Sequence, residues 1–254
     1  MDLDRPEFRP DPALSRSEME ALQRDIADAA EFADDLPFDP EAVEVDSSIE
    51  TDATDTATLT DSDIPVVVGV DQAFLDDRAV SAIVAIQDGA VIERTHAVTP
   101  LSIPYIPGLL AFREGGPILA AFEELSVDPD LAVFDGSGRI HFRQAGIATH
   151  VGVAKSLLCG EPAEPVDDQP EGWSTPIEAG EGVEAPDGTT IGHAYQSRQW
   201  NRDQSINPLY VSPGHRVSAS TTRDLVDALC AGYKLPEPTR LADRYADDVK
   251  AAYE

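Results

Sequence analysis

Two short apolar runs that each end in aspartate constrain this chain more than any other feature. Pro65–Asp71 (PVVVGVD) and Leu131–Asp135 (LAVFD) are too uniformly apolar for strands with a wet face. They read as buried strands at the centre of a sheet. Ala79–Ile86 and Ala90–Val98 lie between them, joined at Gln87-Asp88-Gly89. Asp-Gly between two apolar runs signals a hairpin, so the first three strands form an antiparallel meander. Gly108–Leu125 then reads as a helix, with a kink or break expected at Gly115-Gly116-Pro117. The Leu131–Asp135 strand follows this crossover and is expected parallel to the first.

That order is the order of a ribonuclease H-like α/β fold, a mixed sheet flanked by helices. Its first and fourth strands lie side by side, so Asp71 and Asp135 would project from neighbouring strand ends. Glu114, on the intervening helix, would lean over them. Carboxylates that leave coordination positions open for water and phosphate hold Mg²⁺ in phosphodiester hydrolysis. Each acid alone is ordinary in a chain with 48 acidic residues. Together they gain meaning because one topology collects them. Lys155 is one of three lysines in a chain that otherwise uses arginine. A compact ammonium near a scissile phosphate suits transition-state stabilisation; the plainer reading is a surface lysine.

The net charge of −30 argues against simple electrostatic attraction to nucleic acid, though molar salt would screen the repulsion. It resembles the acidic style of proteins from salt-in haloarchaea. The charge is uneven. Residues 1–63 carry 20 acidic and 4 basic residues, and 161–187 carry 9 acidic and no basic ones, so the remainder is only mildly negative. Cys159 and Cys230 are too few for a disulfide framework and read as buried free thiols of a reducing cytoplasm. No run of about 18 apolar residues exists to span a membrane, and no secretory leader is visible.

Residues 1–12 read as disordered. Residues 15–33 read as a docked helix opened by a Ser15/Glu18 capping box. Residues 46–63 read as a solvated acidic linker, so the organisation is 1–63 as helix plus linker and 64–254 as the working domain. Within that domain, Ala145–Val151 is a short helix, 161–190 an acidic Pro/Gly-rich loop, Asn207–Ser212 a strand and Thr221–Tyr233 a final helix.

The ordered set GVDQAF, PYIPGLLAFRE, DLAVFDGSG, HFR–AGIATH, GVAKSLLCG, NPLYVSPGHRVS and YKLPEPTRLAD resembles the endonuclease V family. The resemblance implies a Mg²⁺-dependent nuclease of DNA repair, with Mn²⁺ as an alternative metal. Such an enzyme recognises deoxyinosine in DNA and hydrolyses the second phosphodiester bond 3′ to it, leaving 3′-hydroxyl and 5′-phosphate ends. It also implies Asp71, Asp135 and Glu114 as metal carboxylates and Lys155 as the catalytic lysine. The loop Pro104-Tyr105-Ile106-Pro107 would be a wedge holding the strands apart, stiffened by two prolines and tipped by an aromatic ring. Leu110, Gly136, Gly138, Gly146 and Leu158 would line the base pocket, and His141, Arg143, His150 and His215 would be polar helpers near metal and phosphate. A cytoplasmic monomer with no membrane contact is expected.

One departure matters. Here the Ala148-Thr149-His150 helix runs directly into Gly152-Val153-Ala154-Lys155, where the family pattern interposes a turn and a strand of roughly 5–10 residues. His150 and Lys155 cannot then both keep their family places. The fifth strand is expected to be lost or rebuilt. This leaves a lesion-binding module without efficient cleavage as one alternative, and a ribonuclease acting on inosine in RNA as another.

Overall fold

The computed structural model describes residues 5–45, 63–151, 154–155, 161–199 and 206–254. Most of the 46–63 linker, the 1–4 terminus, Leu158 and Cys159 lie outside them, as does the side chain of Lys155.

The meander is as expected. β1 (Val67–Phe74) pairs antiparallel with β2 (Arg78–Gln87), and β2 with β3 (Ala90–Pro100). Asp88 and Gly89 both have positive φ, the backbone a two-residue hairpin turn needs. α1 (Arg16–Ala29) precedes the meander, and its capping box is formed: Ser15 Oγ accepts the Glu18 N–H while Glu18 accepts the Ser15 N–H. α2 (Leu110–Glu123) crosses over to β4 (Leu131–Phe134), which runs parallel to β1 with Val70 opposite Phe134. α2 is not broken at Pro117. The Gly115–Pro117 stretch sits mostly buried, and the missing side chain of Gly115 admits the Pro10 ring. Burial of the helix against the sheet thus outweighs the lost backbone bond.

α3 (Ile147–Val151) precedes β5, described over Ala154–Lys155 and lying between β4 and β9 (Leu209–Ser212). The fifth strand is therefore present among the described residues. The 161–190 stretch is not simply a loop, contrary to expectation. It contributes β6 (Glu161–Pro162), β7 (Ser174–Glu178) and the start of β8 (Thr190–Tyr195) to a nine-stranded sheet of order β3-β2-β1-β4-β5-β9-β8-β7-β6. Pro176 disguised β7, since proline suits edges, and β6 covers only two of its five residues.

The parity of β1 sorts the two faces. Val66, Val68 and Val70 join Phe122, Phe134 and Ile147 under α2, while Val67 and Ala73 face the other way. On that second face lie α4 (Ala219–Ala228) and α5 (Glu237–Ala251), the latter unanticipated. The segment 36–45 packs there too, through Leu36, Phe38 and Val43. Residues 5–12 are ordered, correcting the reading of 1–12. Pro6–Phe8 forms a 3₁₀ turn and Phe8 accepts a hydrogen bond from His150.

Gly69 shows how tightly α5 is seated. A Cβ there would fall 2.0 Å from the Pro238 carbonyl carbon and oxygen. Gly69→Ala is expected to push the start of α5 off the sheet and destabilise the fold by about 2–3 kcal/mol. A thermal melt checks this: a variant melting with the parent would mean that α5 is not held by this contact.

Candidate metal centre and lesion-reading loop

Asp71 and Asp135 meet as expected. Asp71 is an odd-numbered position of β1 and Asp135 follows directly after β4; both lie on the α5 side, and the Asp135 N–H donates to the Val70 carbonyl at 3.2 Å. Both carboxylates line one small cavity, together with Tyr210, Pro236 and Thr239. Asp243 joins them from α5. Its carboxyl hydrogen-bonds that of Asp71, and its charge, like that of Asp135, opposes ionisation there. Burial is the larger cause, and together these push Asp71 up to about 8. Asp243 is the member of this cluster that the sequence reading missed. The YKLPEPTRLAD motif that carries it was visible, but the helix beneath was not.

Glu114 is placed differently. It is buried on the α2 side, with its pKa raised by burial against the opposing pull of Arg113, which it contacts at 2.8 Å. Arg113 in turn lies over the Phe74 ring. Among the described residues, no three acids, histidines or cysteines form a ready-made metal cage. The Asp71, Asp135 and Asp243 set nevertheless fits a hard divalent cation. Asp71, half-buried beside two exposed acids, is disfavoured as an anion unless positive charge lies nearby, and oxygen-only donors suit Mg²⁺.

The proline-framed loop is anchored and exposed in alternation. Ile103 and Ile106 pack against Met19, Leu109 and Phe112, while Pro104, Tyr105 and Pro107 face solvent, with Tyr105 54% exposed. Ile106 is half-buried and forms a foot of the loop. Leu110 begins α2 and is half-buried.

Gly136, Gly138 and Gly146 give close approach, but to the protein itself. A Cβ on each would collide with Ile147, Pro213 and Ser137 respectively. His141 and Arg143 lie at the foot of the loop. His141 Nε2 donates to the Gly108 carbonyl and its Nδ1 accepts the Arg143 N–H, which makes it a neutral imidazole held down to about 4, mainly by burial. His150 is half-buried and edge-on to Phe112, and His215 Nδ1 accepts the Glu31 N–H; both line a second, larger cavity. None of the four lines the Asp71/Asp135 cavity. β5 lies beside β4, placing the backbone of Lys155 next to the strand that ends at Asp135.

A ribonuclease H-like sheet with acidic residues gathered at the ends of its central strands defines a class of metal-assisted phosphodiesterases. The endonuclease V pattern matches residues 47–244. Endonuclease V of Haloarcula marismortui is 58% identical over 265 residues, covering 98% of both chains. The structure of endonuclease V from Streptomyces avermitilis superposes with a TM-score of 0.72 at 28% identity, again over 98% of each chain. That of Ciona intestinalis endonuclease V, in complex with a 24mer DNA containing an inosine followed by a ribo-adenosine, shares the fold at 20% identity and a TM-score of 0.66. It covers 94% of this chain and 98% of that one. The chain belongs to the endonuclease V family and is a hydrolytic endonuclease by class.

Proposed function

We propose that the protein cuts DNA at deoxyinosine, hydrolysing the second phosphodiester bond 3′ to the lesion with Mg²⁺. The contact between Asp71 and Asp243, with Asp135 beside them, carries this reading. These three would hold the metal, and Glu114 would complete its shell by turning from Arg113. Bound there, Mg²⁺ supplies a water of lowered pKa and a Lewis acid for the phosphate oxygen. The chain's own groups orient the substrate. Tyr105 presents an exposed ring on a stiff loop as a stacking surface in place of a lost base partner. The Gly136–Gly146 backbone walls the pocket, and Lys155 would neutralise charge on the reacting phosphate. The Ciona complex supports inosine-containing DNA as the substrate class.

The direct test is nicking of an inosine-containing duplex in molar KCl with Mg²⁺, beside inosine RNA and undamaged DNA. Cleavage confined to inosine DNA is the expected result. Cleavage of undamaged DNA at the same rate would refute lesion recognition, and preference for inosine RNA would move the enzyme to the ribonuclease reading. Tyr105→Ala should weaken binding to the inosine duplex by about tenfold, since a stacked base is worth ~1–3 kcal/mol. Unchanged affinity would remove the loop from the interface.

A second reading, binding with impaired cleavage, is favoured by one observation. The alignment with the Haloarcula relative runs over 265 residues, more than the 254 of this chain. The relative thus carries residues without a counterpart here, and the direct junction from His150 to Lys155 in the sequence is where we place the gap.

A further inference from the structure

The exposed tip of the Tyr105 loop ends at Gly108, whose φ of +78° turns the chain into α2. The Gly108 carbonyl accepts three hydrogen bonds: from Gln23 Nε2 at 3.0 Å, His141 Nε2 at 3.1 Å and Arg143 at 3.2 Å. Two of these donors belong to the pocket segment. Gln23 comes from α1, outside the catalytic sheet, and is 1% exposed. Its Nε2 also donates to the Ala145 carbonyl at 3.1 Å, and its Oε1 accepts Arg143 Nε at 2.8 Å. One buried amide thus ties the end of the loop to the segment that walls the pocket. Only one orientation of that amide satisfies all three of its bonds, because the partners are two carbonyls and one guanidinium. Met19, from the same helix, packs with Leu109 and Phe112 beside Ile103 and Ile106. α1 therefore supports the loop from behind, by apolar contact along its length and by hydrogen bonds at its end.

We infer that Gln23 is a positioning residue. It sets the Tyr105 loop against the pocket segment, and through that spacing it governs selection of inosine in duplex DNA over inosine in a single strand. The inference rests on the wedge reading proposed above. A wedge does work only where two strands must be held apart, so its misplacement should be felt on a duplex and not on an unpaired oligonucleotide. General loosening of the fold would weaken both alike.

The experiment measures dissociation constants for one inosine oligonucleotide, single-stranded and paired, and for the matching adenosine duplex, in molar KCl with Ca²⁺ replacing Mg²⁺. The proteins are the parent, Gln23→Met, Gln23→Glu, Tyr105→Ala and the Gln23→Met/Tyr105→Ala double variant. Met keeps the volume without the hydrogen bonds. Glu keeps the Arg143 partner but sets an oxygen against the Gly108 and Ala145 carbonyls. Both are expected to lose about tenfold on the duplex and less than twofold on the single strand. The double variant should lose no more on the duplex than Tyr105→Ala alone, because Gln23 acts through that ring. Equal losses on both substrates, or fully additive losses in the double variant, overturn the inference and leave Gln23 a packing residue. A parent that binds inosine and adenosine duplexes equally refutes the wedge reading itself, and the role of Gln23 falls with it. Thermal melts in the same buffer verify that each variant is folded. If Gln23→Met does not fold, Gln23→Glu carries the comparison.

Discussion

Asp71→Asn is expected to abolish strand cleavage and yet to make the metal-free protein more heat-stable at alkaline pH. Burial, Asp135 and Asp243 raise the carboxyl of Asp71 to about 8 in the folded state. In the unfolded chain it titrates near 4. A folded-state pKa above the unfolded one means that protons bind more tightly to the folded protein. The stabilisation is complete below pH 4 and is lost as pH rises towards 8. Above that range the ionised group opposes folding. Asparagine removes this penalty, and a gain of only ~1–2 kcal/mol would raise the melting temperature by about 3–6 °C at pH 8.5. Mg²⁺ reverses the argument for the parent by placing positive charge between the acids, so it should raise the parent's melting temperature and leave Asp71→Asn nearly unmoved. The nicking rate should drop by at least ~10³, in line with several kcal/mol of metal-derived stabilisation. Melts at pH 5 and 8.5, with and without Mg²⁺, and a single-turnover nicking assay decide the matter. An asparagine variant that still cuts at the parent rate would exclude Asp71 from the reaction. One that melts below the parent at pH 8.5 would show that Asp71 is comfortably ionised.

Asp71 and Asp135 were readable because strand geometry is local. A Val-rich run ending in an acid states both the buried strand and the side chain at its end, and parallel pairing of the two runs follows from the crossover between them. Asp243 depended on a helix whose buried face is built largely from small or isolated side chains, Leu241, Ala242, Ala246 and Val249, among seven charged residues. Such a stripe gives little apolar periodicity. Its seat on β1 is created by Gly69, a residue whose contribution is an absence. The same holds in the pocket. Gly136, Gly138 and Gly146 were recognisable as places of close approach, but the sequence does not reveal that the approaching atoms belong to Ile147, Pro213 and Ser137. Glu114 was placed on the right helix, but its Arg113 partner is an immediate neighbour whose rotamer only packing decides. Gln23 lay 85 residues from its Gly108 partner, a pairing that no local pattern encodes.

The largest gain in stability is expected from lengthening the chain after Val151. Along β4, Leu131 to Phe134 pair with β1 on one side, and among the described residues β5 meets β4 at Phe134 opposite Ala154. Beside the remainder of β4 lies a cavity of about 640 Å³, lined in part by Leu119, Phe122, Leu131, Ala132, Thr149 and Val151. Its wall includes two residues with buried polar atoms that find no partner among the described residues, Thr149 through Oγ1 and His150 through Nδ1. An apolar strand inserted there would pair with the edge of β4, fill the cavity and offer these atoms backbone partners. Buried unsatisfied groups cost ~1–3 kcal/mol each, and covering the apolar part of this wall adds to the gain. Grafting the residues of the Haloarcula relative that have no counterpart here should therefore raise the melting temperature by about 6–12 °C, corresponding to ~3 kcal/mol in a chain of this size. Insertion also sets how far α3 stands from β5, and hence how His150 and Lys155 are spaced. Nicking of inosine DNA should rise at least tenfold over the parent if the short junction holds Lys155 away from the phosphate. A graft that melts higher without cutting faster would mean that the short junction weakens the fold while leaving the lysine in reach. A graft that changes neither would place the relative's extra residues elsewhere and remove the case for impaired cleavage.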